Sequence, residues 1–599
     1  MNHGRILQVC GLLLVASSTS SAQVTRRVSV NSSGGQVNGL SDFSSISSNG
    51  AIVAFRSLSS TLVGGDTNGF RDAFCRGRLT TQTEIVSVDS SEHLGDEASG
   101  PQFASVDGSL IVFSSDANNL VPGDTNGQTD VFVRDRVAGT TQRVSVSSGG
   151  AQGDGPSTYG TISADGRYVA FQSSATNLVS GDTNGVGDIF VRDRLGGITV
   201  LISRGGGATP SNGWSEAPAI SADGNYVVFA SGATNLINGD TNGFWDVFRC
   251  FTLGGGNERI SVVPGLHGLQ GNGNSLFPSI SADGSCIAFY SLATNLTFMG
   301  DTNGVADILC RDMSATMIEL VSRDAGGTAG NGASGAPSIS ADGIYVAFES
   351  TATNLVPGDT NGIQDIFVRN RVLGTTERVS VDTSGVQGNA RSAWPSISGD
   401  GRFVAFESDS DNLVAGDTNL NTDIFVRDRD ATGFSSMCHP GQDGVQACPC
   451  SNPPTTIGRG CNNSSATGGA LLTASGAAYL TADRLVLTTF AEKPTAFSIV
   501  LQGTTLLANG VVYGQGVRCT GGVLKRLFAK NAVAGSVTAP DFGAGDPSIS
   551  ARSAAKGDVI SAGEYRVYLV YYRDPVVLGG CSAASTFNAT QTGLVVWSP

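Results

Sequence analysis

Paired carboxylates in a repeated loop are the residues of this sequence best suited to chemistry. The segment Asp-Thr-Asn-Gly-Val-Gly-Asp at residues 182–188 brings two carboxylates and an amide oxygen together around a glycine. Calcium loops place oxygen ligands at alternate positions around such a glycine-containing turn. The motif contains none of the His or Cys ligands that transition metals favour. It therefore predicts a calcium site, although the Glu that closes an EF-hand loop is missing.

The loop occurs seven times, and its first Asp recurs at intervals of 58, 58, 58, 61, 58 and 58 residues. A fixed period of this size indicates a repeat protein. The predicted calcium ligands are the first Asp, the Asn and the last Asp of every copy: Asp66, Asn68, Asp72, Asp124, Asn126, Asp130, Asp182, Asn184, Asp188, Asp240, Asn242, Asp246, Asp301, Asn303, Asp307, Asp359, Asn361, Asp365, Asp417, Asn419 and Asp423.

These loops account for most of the acidity of the chain. They supply fourteen carboxylates, nearly the whole excess behind the formal net charge of −15. Two carboxylates in one tight loop repel each other unless a cation or hydrogen bonds offset the repulsion. Asp and Asn also cap turns through side-chain bonds to the backbone, without a metal. The sequence leaves both interpretations open.

Four short β-strands position each loop. In the repeat at 160–205 the strand-like runs are 161–163, 167–172, 189–192 and 199–203, and the calcium-type loop joins the second run to the third. Asp165-Gly166 makes the tight turn between the first two runs. Four antiparallel strands per repeat predict an all-β fold of the β-propeller type, with a solenoid as the alternative.

The two ends of the repeat array favour a closed ring. The seventh repeat has its third strand at 423–427 and no fourth strand, whereas the N-terminal segment 26–30, Arg-Arg-Val-Ser-Val, matches the missing one. A strand supplied from the N-terminus would cover an open sheet edge. We therefore expect a seven-bladed propeller over residues 23–433.

The repeat resembles a known family. Ile-Ser-Ala-Asp-Gly-Arg-Tyr-Val-Ala-Phe at 162–171, followed by Asp-Ile-Phe-Val-Arg-Asp at 188–193, is similar to the WD40-like, PD40-type repeat of TolB-like propellers. The resemblance extends through every repeat, from about residue 25 to about residue 430, and departs from the family in its Ala in place of Pro and in its longer loop. It implies the propeller fold. Members of that broad family range from binding scaffolds to propellers attached to enzymes.

Aromatic residues mark a second candidate site. Phe43, Tyr159, Phe277 and Trp394 each stand six residues before the Asp or Asn of the first turn, and Trp214 lies nearby in the fourth copy. Such side chains could ring the mouth of the channel and stack on a sugar or a peptide. Packing between blades is the alternative.

Arginine ends the third strand in six repeats, at Arg76, Arg134, Arg192, Arg311, Arg369 and Arg427. For these residues we expect ion pairs with the Asp that follows, such as Asp135 and Asp193.

A catalytic centre has little support. His93, His267 and His439 fall in unrelated contexts, whereas a Ser-His-Asp or metal-His centre built from the repeats would need more. Carboxylate-only glycosidase chemistry stays open because Asp is abundant and no spacing identifies a pair.

The composition changes near Gly433. Cys438, Cys448, Cys450 and Cys461 cluster in a segment, 434–465, that we interpret as a linker. With Cys519 and Cys581 they predict three disulfides, and a zinc site with His439 is the alternative. Strand-like runs predict a smaller β domain, a sandwich, over 466–599. In the propeller, Cys286 and Cys310 are placed to pair or to remain free thiols.

Residues 1–22 have the features of a secretory signal, with Arg5, an apolar run at 7–16 and a small-residue cleavage site at 20–22. An exported chain would reach a compartment that permits disulfides. The negative net charge argues against a nucleic-acid partner, and no later run is long and apolar enough for a membrane helix.

The expected function is an exported, non-catalytic and monomeric propeller scaffold with structural calcium. It would bind a protein or a glycan at the cell surface, outside the cell or in a periplasm. The alternatives are a secreted carbohydrate-active hydrolase or lyase with its site in the channel mouth, and a purely structural repeat protein.

Overall fold

A computed structural model describes residues 23–599 except for 79, 207–208, 264–268, 298–302, 316–317, 430–433, 438, 442–444, 455–458, 476–477, 479, 481–482, 562–563, 577–585 and 598–599. The predicted signal peptide lies outside the described residues, as do Asp301, His267, Cys438 and Cys581. The chain divides into two compact units, Gln23–Arg429 and Asp430–Pro599. In the described part of the chain, no helix has the length and apolar character needed to cross a membrane.

The first unit consists of four-stranded antiparallel sheets, one for each repeat, which we number 1 to 7. β1 is Val24–Arg27. Sheet 1 contains β2–β5 (Ser41–Ile46, Ile52–Ser57, Asp72–Gly77, Thr83–Ile85), and sheet 2 contains β6–β9 (Ser99–Ala104, Leu110–Ser115, Asp130–Asp135, Thr140–Arg143). Sheet 3 contains β10–β13 (Ser157–Ile162, Tyr168–Ser173, Asp188–Asp193, Ile198–Leu201), and sheet 4 contains β14–β17 (Ser215–Ile220, Tyr226–Ser231, Asp246–Phe251, Glu258–Arg259). Sheet 5 contains β18–β21 (Ser275–Ile280, Cys286–Ser291, Asp307–Asp312, Ile318–Leu320), and sheet 6 contains β22–β25 (Ser334–Ile339, Tyr345–Ser350, Asp365–Asn370, Thr375–Arg378). Sheet 7 contains β26–β28 (Ser392–Ile397, Phe403–Ser408, Asp423–Asp428) and β1.

Local sequence explains the hairpin that starts each sheet. In sheet 3, Gly166 adopts a φ of 71°, which a glycine reaches without steric cost. The Asp165 carboxylate accepts hydrogen bonds from the Ser163 hydroxyl at 2.6 Å and from the Arg167 amide at 3.0 Å. The next two strands carry apolar residues on both faces, and the rings of Phe171 and Phe190 stack with centroids 5.8 Å apart.

The sheets follow one another in a closed order. Each of seven hydrophobic clusters joins two successive sheets, and one of them joins Phe403 and Val426 of sheet 7 to Val53 and Phe74 of sheet 1. Strand β1 pairs antiparallel with β28 as the outer strand of sheet 7. The pairing predicted for the N-terminal segment is therefore present, with the strand itself at Val24–Arg27. The expectation of an all-β protein is confirmed.

The second unit is also mainly β. Its strands are β29–β39: Phe434–Met437, Leu471–Ser475, Val486–Phe490, Phe497–Gly503, Thr505–Tyr513, Gly516–Gly521, Lys525–Asn531, Thr538–Ala539, Tyr565–Arg573, Phe587–Ala589 and Thr592–Val596. A 3-10 turn at Phe542–Ala544 and helix α1, Ile549–Ala555, interrupt them.

The strands of this unit form a six-stranded, a three-stranded and a two-stranded sheet. Leu472 and Leu487 of the three-stranded sheet share a core cluster with Val500 and Val570 of the six-stranded sheet and with Ile549 of the helix. Two sheets facing one core is the arrangement that a sandwich requires.

The segment interpreted as a linker belongs to this unit. Strand β29 lies at the edge of the six-stranded sheet, and Cys448 is disulfide-bonded to Cys461. Cys450 and Cys519 are also disulfide-bonded, which removes these thiols as zinc ligands. Strand pairing of β29 and the disulfides thus connect parts of segment 434–465 to the rest of this unit.

Cys286 and Cys310 of sheet 5 are buried free thiols. The register explains why they do not form a disulfide here: Cys310 stands opposite Ala288, and Cys286 stands opposite Asp312.

Candidate functional site

The last Asp of each loop begins the third strand of its sheet and is buried. In sheet 3 the Asp188 carboxylate accepts a hydrogen bond from the Ser203 hydroxyl at 2.5 Å, and Ser203 accepts one from the Ile189 amide at 2.9 Å. The same pair of bonds is made by Ser29, Ser87, Ser145, Ser261, Ser322 and Ser380. The last Asp therefore ties the outer strand to the third strand.

The Asn makes three bonds of a capped turn in six of the loops, and Asn68 of sheet 1 makes two of them. Asn184 accepts a hydrogen bond from the Val186 amide at 3.1 Å and donates to the Asp188 carboxylate at 2.6 Å and to the Ser211 carbonyl at 2.9 Å. The same three kinds of bond are made by Asn126, Asn242, Asn303, Asn361 and Asn419. The loop thus contacts the connection between two sheets, so both segments lie on one face of the ring.

A buried arginine lies between the two carboxylates in sheets 2, 4, 6 and 7. In sheet 2, Arg143 Nη1 is 2.8 Å from Asp124 and 3.2 Å from Asp130. Arg259, Arg378 and Arg27 bridge the paired acids of sheets 4, 6 and 7 at 2.9–3.5 Å. In these four loops an arginine guanidinium lies between the acids and supplies the positive charge that the sequence-based hypothesis assigns to calcium.

Sheets 1, 3 and 5 carry an aliphatic residue in the place of this arginine. Arg143 pairs in register with Phe132, and the equivalent partners in the other sheets are Ile85, Leu201 and Leu320. An aliphatic side chain brings no charge to the carboxylates. In sheet 5 the first Asp of the loop, Asp301, is outside the described residues.

The carboxylates of sheets 1 and 3 have strongly perturbed acidity. Burial, with the nearby charge of Asp72, raises the pKa of Asp66 to about 6. Burial and the charge of Asp188 likewise raise the pKa of Asp182 to about 6. In sheet 2, burial raises the pKa of Asp124, but Arg143 acts in the opposite direction.

Among the described residues, no group of three or more His, Cys, Asp or Glu side chains is placed to hold a metal ion. Each loop has only two carboxylates. Any cation bound there would take its other ligands from the Asn oxygen, main-chain carbonyls or water.

A cavity of about 430 Å³ opens at the mouth of the channel on the same face of the ring. Phe43, Tyr159, Phe277 and Trp394 line it, as the stacking hypothesis requires. Trp214 is not among its described lining residues and packs near Gly187. Phe103 also lines the cavity. Sequence spacing missed it because it precedes Asp107 by four residues and not by six; it lies beyond the register shift and pairs with Val112.

An unusual backbone directs these aromatic side chains. The first strand of each sheet has a register shift, and Phe43, Tyr159, Phe277 and Trp394 sit in it with φ of 48–53°. A left-handed conformation costs a non-glycine residue about 1–2 kcal/mol. Ala217 and Ala336 have the same conformation in sheets 4 and 6, so the bulge belongs to the repeat, and at the four aromatic positions it aims a ring at the mouth.

The aromatic rings contact one another around part of the mouth. Phe43 stacks on Trp394 with centroids 5.2 Å apart, and Phe277 meets Trp394 edge-on at 6.1 Å. The Glu407 carboxylate accepts a hydrogen bond from the Phe43 amide at 3.1 Å, and the Glu349 carboxylate accepts one from the Trp394 amide at 2.9 Å. Burial raises the pKa of both glutamates. These acids therefore hold the strained backbone in place.

The cavity at the opposite end of the channel is smaller and lacks aromatic lining residues among the described part of the chain. Isoleucines from six sheets line a cavity of about 160 Å³ there: Ile46, Ile162, Ile220, Ile280, Ile339 and Ile397. Main-chain hydrogen bonds link neighbouring sheets beside it, for example from the Gly399 amide to the Ser48 carbonyl at 2.7 Å. The aromatic groups are thus concentrated at the mouth.

The arginines that end the third strand do not pair with the Asp that follows. Arg192 donates to the carbonyls of Ser147 and Gly197 at 3.1 Å, while Asp193 pairs with Arg167 at 2.7 Å. The ion-pair expectation is wrong for Arg192 because its guanidinium reaches the main chain of the neighbouring sheet.

Histidine chemistry gains no support. His93 is exposed and lies 3.0 Å from Asp89 on the same turn.

Comparison with solved structures returns propeller proteins at low identity. TolB from Acinetobacter baumannii is 14% identical, over 60% of this chain and 76% of that chain, with a TM-score of 0.31. An oligogalacturonate lyase in complex with manganese is 13% identical, over 69% and 94%, with a TM-score of 0.42. The β-propeller domain of the Trilobed protease from Pyrococcus furiosus is 10% identical, over 65% and 95%, with a TM-score of 0.38. No family model and no curated protein matches the chain. At these similarities no activity is transferred to this chain.

Proposed function

We propose that the ring of seven sheets is a seven-bladed propeller that serves as an exported, non-catalytic scaffold and binds a glycan in its mouth. The observation that carries the proposal is the set of aromatic side chains held by left-handed bulges around an open cavity. Strain of this kind persists only where the surrounding structure maintains it.

A carbohydrate suits the mixed lining of this cavity. The C–H face of a sugar ring is apolar and packs on an aromatic ring, and its hydroxyl groups need polar partners. Phe103, Tyr159 and Phe277 leave more than a third of their surface exposed. Hydroxyl groups lie among the aromatic residues, on Ser44, Thr161, Ser279, Ser338 and Ser396. Pockets that combine apolar walls with a few placed polar groups are typical ligand sites.

The alternative, a carbohydrate-active hydrolase or lyase, is less well supported. Hydrolysis of a glycosidic bond generally uses two carboxyl groups on either side of the bond. Glu349 and Glu407 each accept a main-chain hydrogen bond. Among the described residues that line the cavity, Glu216 is the single acid. A paired mechanism would lack its second carboxylate.

Export is supported by the apolar N-terminal segment and by the Cys448–Cys461 disulfide, since disulfides persist in oxidising compartments. The proposed setting is the cell surface, the medium or a periplasm.

Binding of oligosaccharides tests the proposal. Neutral and acidic oligosaccharides are titrated into the full-length protein, and affinity is measured by calorimetry. We expect Trp394→Ala and Phe277→Ala each to weaken binding at least about tenfold, because each removes a stacking face. Trp214→Ala is the matched control, since it removes an exposed aromatic residue from outside the cavity lining.

Three outcomes would contradict the proposal. Affinity unchanged by both mouth variants would place the glycan elsewhere, and binding of peptides alone would favour a protein partner. Cleavage of a bound oligosaccharide that is lost in Glu216→Gln would establish the enzyme instead.

A further inference from the structure

The arginine that bridges the paired acids is present in some repeats and absent from others, and this difference points to a ligand. We propose that the loops of sheets 1 and 3 each bind one divalent cation of the calcium type, between Asp66 and Asp72 and between Asp182 and Asp188. The cation would take the place of the guanidinium in sheets 2, 4, 6 and 7. The proposal does not depend on glycan binding at the mouth.

The arginine-containing loops show where a positive charge fits. One nitrogen of Arg143 contacts both carboxylates of sheet 2 at 2.8 and 3.2 Å, and one nitrogen of Arg259 contacts those of sheet 4 at 3.1 and 3.2 Å. Calcium binds carboxylate oxygens at about 2.3–2.6 Å. A small approach of the two acids would therefore allow an ion to replace the guanidinium nitrogen.

Sheet 1 contains buried acidic oxygens with no donor. Asp66 is 7% exposed, and no hydrogen bond or ion pair reaches its carboxylate from the described residues. One oxygen of Asp72 accepts a hydrogen bond from Ser87, and the other is buried with the Asn68 side chain beside it but outside ordinary hydrogen-bond geometry. Asn68 donates to the Gly95 carbonyl. Buried polar groups in folded proteins are almost always partnered, so an unpartnered carboxylate oxygen indicates a missing ligand.

Sheet 3 also lacks a basic side chain between its two acids, although both carboxylates accept hydrogen bonds. Asp182 is 6% exposed and accepts a hydrogen bond from the Asn184 amide. Asp188 is held by Asn184, Ser203 and Ser211, which leaves its charge without a basic neighbour. Leu201 stands where an arginine would reach both acids.

Uncompensated buried charge explains why a ligand is expected there. Leaving a buried carboxylate unpaired costs several kilocalories per mole in general, and proteins avoid it by pairing, metal binding or protonation. The hard oxygen donors of these loops suit Ca²⁺ and not a transition metal. A proton shared by the two acids is the competing outcome.

Calcium titration of matched variants tests the inference. The full-length protein is stripped with a chelator, and Ca²⁺ is titrated by calorimetry with no sugar present. We expect Ile85→Arg and Leu201→Arg each to lower the stoichiometry by one equivalent, because the introduced guanidinium fills the site. If Ile85→Arg does not fold, Asp66→Asn replaces it and preserves the size of the side chain.

The reverse substitution provides the stronger check. Arg143→Leu gives sheet 2 the pattern of sheet 3 and should add one equivalent of Ca²⁺. Arg167→Leu, which removes a half-exposed arginine from outside the loop, should leave the stoichiometry unchanged.

Two results would overturn the inference. One is a wild-type protein that takes up no Ca²⁺ and melts at the same temperature with millimolar Ca²⁺ as with chelator, since a ligand of the native state must raise the melting temperature. The other is a stoichiometry that none of the three loop variants changes. Glycan affinity is measured separately, so its loss or retention does not affect either result.

Discussion

Removal of the guanidinium from sheet 4 should destabilise the ring by a predictable amount. Arg259 is 4% exposed at its side chain and lies 3.1 Å from Asp240 and 3.2 Å from Asp246. Breaking a buried ion pair by removing one partner costs about 3–5 kcal/mol. Asp246 would keep its bonds from Ser261 at 2.5 Å and Asn242 at 3.0 Å, which continue to stabilise its charge. We therefore expect Arg259→Leu to cost about 3 kcal/mol, at the lower end of that range.

Leucine is the appropriate replacement because it occupies the equivalent position in sheet 3, so the fold accommodates its shape. The free energy of unfolding is measured by urea denaturation at neutral pH with chelator present, which prevents a cation from replacing the guanidinium. Arg26→Leu is the control. Arg26 lies exposed on β1, and its loss should change stability little.

The result that would refute this reasoning is a cost for Arg259→Leu no larger than that of the control. It would mean that hydrogen bonds from Ser261 and Asn242 suffice for Asp246 and that Asp240 needs no positive partner. The inference that the acids of sheets 1 and 3 need a cation would then lose its physical basis.

Three further predictions concern other parts of the molecule. Leu420 is 85% exposed and has a φ of 58° where the other repeats have glycine, so Leu420→Gly should raise the free energy of unfolding by about 1 kcal/mol; a loss of stability in urea would contradict this. Replacing Cys448 and Cys461 together by alanine should lower the stability of the second unit by about 3 kcal/mol, as expected for a short closed loop, and unchanged unfolding of that unit in urea would exclude the effect. Burial raises the pKa of Glu492 above its ordinary 4.5, so the fold loses stability as pH rises from that value through the raised pKa; Glu492→Gln should remove this loss, and thermal melts whose pH dependence is the same in both proteins would show that it does not arise there.

The strands and their order could be predicted from sequence because local patterns specify them. The turn at Asp165-Gly166 and the apolar run that follows depend on neighbouring residues, and the repeat multiplies the signal. The pairing of the N-terminal strand with the last sheet could be predicted because the seventh repeat lacks a fourth strand and the segment that includes β1 matches it. Its observed bounds differ by a few residues, as strand ends depend on packing as well as on pattern.

The candidate sites could be predicted only in part. The sequence identified the paired acids and four of the aromatic residues, since a fixed spacing marks both. Phe103 was missed because it stands four residues before the turn Asp, where other repeats have polar residues such as Thr161 and Ser279. The sequence shows that aliphatic residues and arginines alternate at the end of the outer strand, at Ile85, Arg143, Leu201 and Arg259. It does not show which loop each side chain reaches, and this decides which pairs of acids have a guanidinium between them.

The sequence by itself determined the repeat, the all-β character and the presence of two carboxylates in every loop. Only the tertiary structure decided how those carboxylates are compensated. Arg143 follows Asp130 by thirteen residues, whereas Arg27 precedes Asp423 by 396, and pairing of the outer strand with the third strand brings both to equivalent positions. Charge compensation in a buried loop depends on distances of a few ångströms between residues far apart in the chain. The loops that share one motif therefore differ in chemistry: four contain a guanidinium, and those of sheets 1 and 3 have an aliphatic side chain at the equivalent position.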